Sequence, residues 1–284
     1  MPSKNIPFMP NLKHLVSTFC FIIIVQTANA QLGFSHEIGV IAGPVQFRSD
    51  FGSSNESKTN FGNTGFGIGL VHYLNFAYRA DCNCYTTDAY FNDHFKVRNE
   101  ISYNKTNLEH SGFWVLPDKV SVQADQLRGH KGVAENLDIG TQIEFFPLSI
   151  RDFQGFAYSF APFVSIGVHY TSFSPKASTT YANPDPNAIG DVFNRTNIYS
   201  YWFDNFPVGV DSYPINLDGG GAFSVVSSVG FRYKLTKLSD IMLDFRWQYY
   251  FNDVIDGLDH NWRDYDNNDD WLVWLNVGYI FYLN

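Results

Sequence analysis

The chain has 284 residues, a formal net charge of −9 and a mean hydropathy of −0.17. Charged residues make up 17 % and aromatic residues 18 %, against roughly 25 % charged in an ordinary soluble domain. So many rings exclude a disordered chain, the absence of Gly-x-y and heptad repeats excludes collagen and coiled coil, and the acidic balance argues against nucleic acid as a partner.

The first segment reads as an address. Lys4, Lys13 and His14 precede an apolar run from Leu15 to Val25, and Ala28-Asn29-Ala30 supplies a small-residue cleavage site. That is the pattern of a secretory signal peptide cut after Ala30. The run is too short for a spanning helix, which needs about 20 apolar residues. Cys20 lies inside the run rather than at its end, so a lipid-modified cysteine is not expected. Loss of Lys4 and Lys13 takes the net charge to −11 and leaves Cys82 and Cys84 as the mature cysteines. The domain reading is a signal peptide over 1–30 and one β-barrel over 31–284.

From residue 31 the dominant period is two, the signature of strands. Eight segments follow, each named by its more apolar face. Phe34, Ile38, Val40 and Ala42 form the first. Phe66, Ile68, Leu70, Leu74 and Phe76 form the second, and Phe95, Val97, Ile101 and Tyr103 the third. Leu137, Ile139, Ile143 and Phe145 are the fourth; Phe160, Val164, Ile166, Val168 and Tyr170 the fifth. The sixth holds Phe223, Val225, Val229, Phe231, Tyr233 and Leu235. The seventh holds Ile241, Leu243, Phe245, Trp247, Tyr249 and Phe251. The eighth holds Trp271, Val273, Leu275, Val277, Tyr279, Phe281 and Leu283. Segments of about 9–13 residues suit tilted membrane-spanning strands.

The alternate face is small or charged. It carries Gly39, Gly67, Gly140, Gly167 and Gly230, the acids Glu37, Glu100, Asp138, Glu144 and Asp244, and the bases Lys96, Arg98, Arg232, Lys234 and Arg246. Buried charges are tolerable when paired and hydrogen-bonded. The expectation is therefore an all-β, eight-stranded antiparallel up-and-down transmembrane β-barrel whose lumen holds this balanced network, with glycines making room for the Arg and Lys side chains. A lipocalin-like barrel, greasy inside and wet outside, has the same periodicity and stays open at this point. His72 and Asn99 break the apolar face, through either a bulge or nearness to a membrane interface. Rings near the segment ends, among them Phe76, Tyr78, Tyr103, Phe145, Phe146, Tyr170, Trp247 to Phe251, Trp271 and Tyr279 to Tyr282, read as interfacial girdles. The tight turn Thr236-Lys237-Leu238-Ser239-Asp240 reads as periplasmic, and the long stretch 172–221 as an external loop.

Several motifs carry a resemblance. Ile143-Glu144-Phe145-Phe146-Pro147, Ala161 to Val168 with Ser174-Pro175-Lys176-Ala177, Gly230 to Asp240, and Tyr249 to Gly257 are similar to small outer-membrane barrels of Bacteroidetes that include PorG of the type IX secretion machinery. The resemblance implies a flavobacterial outer-membrane barrel with outer-membrane lipid around it and secretion or gliding proteins as partners. It brings over no catalytic residue.

Other chemistry is sparse. Cys82-Asn83-Cys84 sits where an oxidising periplasm favours pairing; a disulfide, free or intermolecular thiols, and metal ligation with His94 all remain open. Asp264-x-Asp266-Asn267-Asn268-Asp269-Asp270, with Asp253, Asp256 and Asp259, is rich in the hard oxygens calcium prefers, yet it lacks the Gly and distal Glu of an EF-hand loop. A solvated loop is the plainer reading. His110, His130 and His260 fall on external loops without a Gly-x-Ser-x-Gly nucleophile motif. No catalytic residue, cofactor or metal is expected. The function is read as structural: a non-enzymatic docking barrel, with an outer-leaflet lipid enzyme and a secreted lipocalin-like binder as the alternatives.

Overall fold

In this computed structural model the described residues are 35–52, 57–76, 89–180, 217–258 and 270–283. The alternating segments become long strands: β1 (Ser35–Arg48), β2 (Thr64–Asn75), β3 (Phe95–Glu109), β4 (His130–Phe145), β5 (Phe160–Phe173), β7 (Gly220–Thr236), β8 (Ser239–Tyr250) and β9 (Trp271–Leu283). Each pairs antiparallel with its neighbours, and β9 returns to β1 with Ile38 opposite Phe281 and Val40 opposite Tyr279. The sheet is thus a closed eight-stranded up-and-down barrel, without the open edge that invites aggregation. The start of β1, the end of β9 and the Lys237–Leu238 turn lie at one end, the turn end. The opposite, loop end carries the three longest connections, β3 to β4, β5 to β7 and β8 to β9.

One strand has no counterpart in the alternation pattern. β6 (Lys176–Thr179) adds to the upper part of β4, His130 opposite Thr179 and Val133 opposite Lys176. β3 and β4 also run past the segments read from the sequence, because beyond Tyr103 and Leu137 every outward residue except Val133 is polar or charged and the alternation signal ends. The ladder itself continues, with Lys105–Glu135 at 3.1 Å, Lys176–Glu135 at 2.8 Å and a Lys131–Glu109 pair across the outer surface.

Burial decides which face is inside. Ile38, Val40, Phe66, Ile68 and Leu70 are 44–59 % exposed, whereas Glu37, Arg98, Arg232, Asp244 and Arg246 are 0 % exposed. The barrel is apolar outside and charged inside, the reverse of a lipocalin. His72 and Asn99 keep the outward phase; no bulge shifts them, the one described register shift falling between Lys234 and Thr236. Three rings assigned to the girdles turn inward instead: Phe146, Tyr250 and Tyr282 are at most 5 % exposed.

The glycines also act differently from expectation. A Cβ at Gly67 would stand 2.5 Å from the Trp274 indole, and one at Gly140 would stand 2.2 Å from the His169 ring. They make room for neighbouring rings rather than for Arg or Lys. Three short α-helices, α1 (Ala89–His94), α2 (Val122–Gly129) and α3 (Ile150–Gln154), and two 3-10 turns at Ser57–Thr59 and Phe113–Val115 lie in the described connections. The connection bearing α3 folds under the barrel and seals the turn end with Phe146, Ile150 and Phe153, while Phe47, Phe51, Ile255, Leu258 and Leu272 fill the loop end.

The face assignment is directly testable. Phe245→Arg, at the centre of β8 and pointing out, is expected to destabilise the bilayer-folded barrel by about 2–4 kcal/mol. A lipid-soluble maleimide is expected to label cysteines placed at 243, 245 and 247 and to spare 244 and 246. Uniform labelling along β8 would contradict the outward phase.

Candidate functional site

The densest chemistry lies in the lumen, where the inward positions of the strands converge. Near the turn end Glu37 accepts from Lys96 Nζ at 2.7 Å and from Arg232 Nη2 at 2.7 Å. Asn75 and Gln154 add side-chain N–H groups at 3.4 and 3.3 Å, so the α3 connection is bonded to the network it covers. Arg232 also reaches Asp240 at 3.1 Å, and the Tyr282 hydroxyl donates to that carboxylate.

At mid-height Arg246 grips Glu100 with both terminal nitrogens at 2.6 Å, the bidentate geometry that planar guanidinium favours. Arg98 meets Glu100 at 2.8 Å, Asp244 at 3.0 Å and Glu144 at 3.5 Å. Toward the loop end the ionic character fades. Asp138 accepts from Asn104 at 3.1 Å, from Gln248 at 2.8 Å and from the Thr171 hydroxyl, and has no ion pair among the described residues.

Rings fill the space the charges leave. Arg232 lies over Tyr73 at 4.8 Å and Arg246 over Trp274 at 4.9 Å. Lys234 has no hydrogen-bond partner among the described residues; its ammonium sits 3.8 Å from the Tyr282 ring and 5.2 Å from Phe153. All ten charged positions singled out in the sequence are buried on the inward face. Sequence reasoning missed Asp240, which it left in the tight turn, together with Tyr73, Gln248, Trp274 and Tyr282. Asp240 is in phase with Met242, Asp244 and Arg246, and that phase was the available signal.

The other candidates fare unevenly. Cys82, Cys84, Asp259, His260, Asp264, Asp266 and Asp269 lie outside the described residues. His110 and His130 meet at 3.0 Å, with the Phe51 ring stacked on both. Asp253, Asp256 and Asp270 gather at the loop end with Asp50, whose N–H donates to Asp256 at 2.9 Å. Among the described residues no three His, Cys, Asp or Glu side chains are placed to hold a metal ion. Burial and the charges of Asp256, Asp50 and Asp253 hold the Asp270 carboxyl well above the usual carboxylate range.

Comparison with known proteins returns fold likeness only. Neisserial surface protein A superposes with a TM-score of 0.42 at 11 % identity, over 88 % of this chain and 98 % of that one. A major outer membrane protein from Thermus thermophilus gives 0.44 at 13 % identity over 87 % and 99 %, and OprG from Pseudomonas aeruginosa 0.35 at 12 % over 87 % and 94 %. No family model and no curated protein matches the sequence.

Two measurements probe these charges. Glu100→Gln leaves Arg246 buried without its carboxylate and is expected to cost about 3–5 kcal/mol. Adding Arg246→Met is expected to cost less than the sum of the two single changes. Lys131→Ala, in a half-exposed pair, is expected to stay within about 1 kcal/mol. Equilibrium unfolding in bilayers reads all of them. The second measurement is pH-dependent. The raised folded-state pKa of Asp270 means that its contribution to stability is complete below the unfolded carboxylate value and is lost as pH rises through the folded one. Asp270→Asn is therefore expected to raise the melting temperature at neutral pH and to lose that advantage on acidification toward pH 4; a difference independent of pH would contradict it.

Proposed function

We propose that this chain is an outer-membrane β-barrel, exported by residues 1–30 with cleavage after Ala30, and that it works as a fixed, non-enzymatic docking scaffold. One observation carries the reading: an apolar belt faces out while ionised side chains are buried and paired within. In water that arrangement would expose the belt and bury the charges, losing on both faces. In a bilayer the belt meets hydrocarbon, and strands closed into a barrel leave no backbone edge in lipid. The turn end then faces the periplasm and the loop end the exterior, since such barrels have short periplasmic turns.

The docking role is supported by what the lumen does with its groups. Its carboxylates, Asp138 apart, hold cations of the same chain, and apolar side chains close both ends, which supports a scaffold rather than a passage. The loop end offers formed surface. Arg128 donates to the carbonyls of Val115, Leu116 and Lys119 at 2.6–3.2 Å and fixes a tip on which Trp114 is 65 % and Val120 94 % exposed. The resemblance of residues 143–147, 161–168, 174–177, 230–240 and 249–257 to small outer-membrane barrels that include one of the type IX machinery supports secretion or gliding proteins as the partner class.

The purified protein is expected to fractionate with outer membranes after carbonate washing, to show heat-modifiable mobility, and to give no steady conductance in planar bilayers. A stable ohmic pore would overturn the scaffold reading, and release into the soluble fraction would overturn the membrane reading. Cross-linking in intact cells followed by purification is expected to recover type IX components; their absence would remove the secretion link.

A further inference from the structure

The outer wall carries a feature that a purely lipid-bathed surface does not need. On β3 the outward apolar run from Phe95 to Tyr103 is centred on Asn99, and on β4 the run from Phe145 to Leu137 is centred on Thr141. Asn99 stands opposite Thr141 on one side and His72 on the other. The three form a polar row at the middle of the belt, where hydrocarbon supplies neither donor nor acceptor. Polar side chains at that depth are costly, and they point to a functional contact.

The row is partly satisfied from within, and the hydrogen bonds have a direction. The Asn99 amide nitrogen can only donate, so Nδ1 of His72, 3.5 Å away, accepts. Nε2 of His72 then carries the proton and donates to Nδ1 of His36 at 3.0 Å, with the two rings stacked 5.3 Å apart. Among the described residues the Asn99 carbonyl oxygen and its second N–H have no hydrogen-bond partner, and Asn99 stands opposite Thr141 in the ladder. A neighbouring donor and acceptor are thus left facing hydrocarbon.

The same row forms the floor of a groove of about 1010 Å³ on the outward side of β1 to β5, rimmed by Tyr279 and Phe281 of β9 and Phe223 of β7. Apart from the row, the polar residues of the lining are Tyr170 and Tyr279 and the lumen-facing Glu100 and His169, which are at most 4 % exposed; the rest is Gly, Ile, Leu, Val and Phe. The lining is largely apolar around one small polar row, which suits a guest that is hydrocarbon along most of its length and bears a single polar group.

We propose that this groove binds a membrane lipid acyl chain bearing a hydroxyl group in its distal half. The hydrocarbon fills the apolar groove, and the hydroxyl donates to the Asn99 oxygen and accepts from the Asn99 N–H or Thr141. The depth follows from the belt. It is roughly 25 Å tall, so a chain entering from either interface reaches the row after about 12 Å, beyond its midpoint. An unsubstituted chain fits the same space and leaves the amide unpaired.

The proposal rests on the membrane reading, and the two fail differently: a soluble barrel refutes that reading, whereas the outcomes below concern a barrel already inserted. The full chain is reconstituted in dimyristoylphosphatidylcholine nanodiscs containing equal mole fractions of stearic and 12-hydroxystearic acid. Fatty acid retained per barrel after lipid exchange is read by mass spectrometry. The expected result is a preference of about three- to tenfold for the hydroxylated chain, the range of one net hydrogen bond. Asn99→Leu is expected to abolish the preference while total retention of chains persists and heat-modifiable mobility is unchanged. Should that variant fail to fold, Thr141→Val and His72→Leu, read in the same way, are expected to reduce the preference. Equal retention of the two acids by the wild type, retention of neither, a preference that survives all three substitutions, or a dimer that occludes the groove would each overturn the proposal.

Discussion

The structure depends on one constraint: guanidinium and carboxylate groups are taken out of water together. Arg98, Arg246, Glu100, Asp244 and Glu144 form a single contiguous set at the centre of the barrel, all at most 4 % exposed. Removing such ions from water costs several kcal/mol each, and only close pairing with further hydrogen bonds returns it. That demand explains why Arg rather than Lys stands at mid-height, where planar forks answer several carboxylates at once. It explains the rings as well, since Tyr73 and Trp274 stack on guanidinium faces that have no further acceptor.

From that constraint the ends follow. A charged lumen open to water would lose the low dielectric that strengthens its pairs. The α3 connection closes one mouth, with Phe153 below Lys234 and Gln154 bonded to Glu37. Phe47, Phe51 and Leu258 close the other. Beyond this filled lumen lie the belt, the turns and the raised β3–β4–β6 sheet.

The belt is not uniform, and its polar interruption is telling. His72, Asn99 and Thr141 are individually ordinary residues. They acquire meaning from sharing one height on three adjacent strands, at the floor of a large groove. Where a side chain contradicts the solvent it faces, local rules have been overridden by something else, and such conflicts concentrate at functional positions.

Much of this was legible in the residues themselves. Alternation over Phe66 to Leu74 or Ile241 to Phe251 specifies strands because the pleat sends successive side chains to opposite faces, and the ten lumen charges share the phase opposite the apolar set for the same reason. A period of two is unchanged when its faces are exchanged, however, so which side lay inside awaited ring closure through β1 and β9. Closure also chose the partners. Arg232 meets Glu37 from 195 positions away, and Arg246 meets Glu100 from 146, distances over which no local pattern persists. β6 escaped notice because four residues carry too little periodicity, and Phe146 and Tyr282 were misplaced because a ring at a strand end fits a girdle or a plug equally well. The sequence determined which residues alternate and what they are made of; the tertiary structure alone decided which carboxylate each cation found and which polar residues came to stand side by side in the belt, because both depend on the register and stagger with which eight strands close.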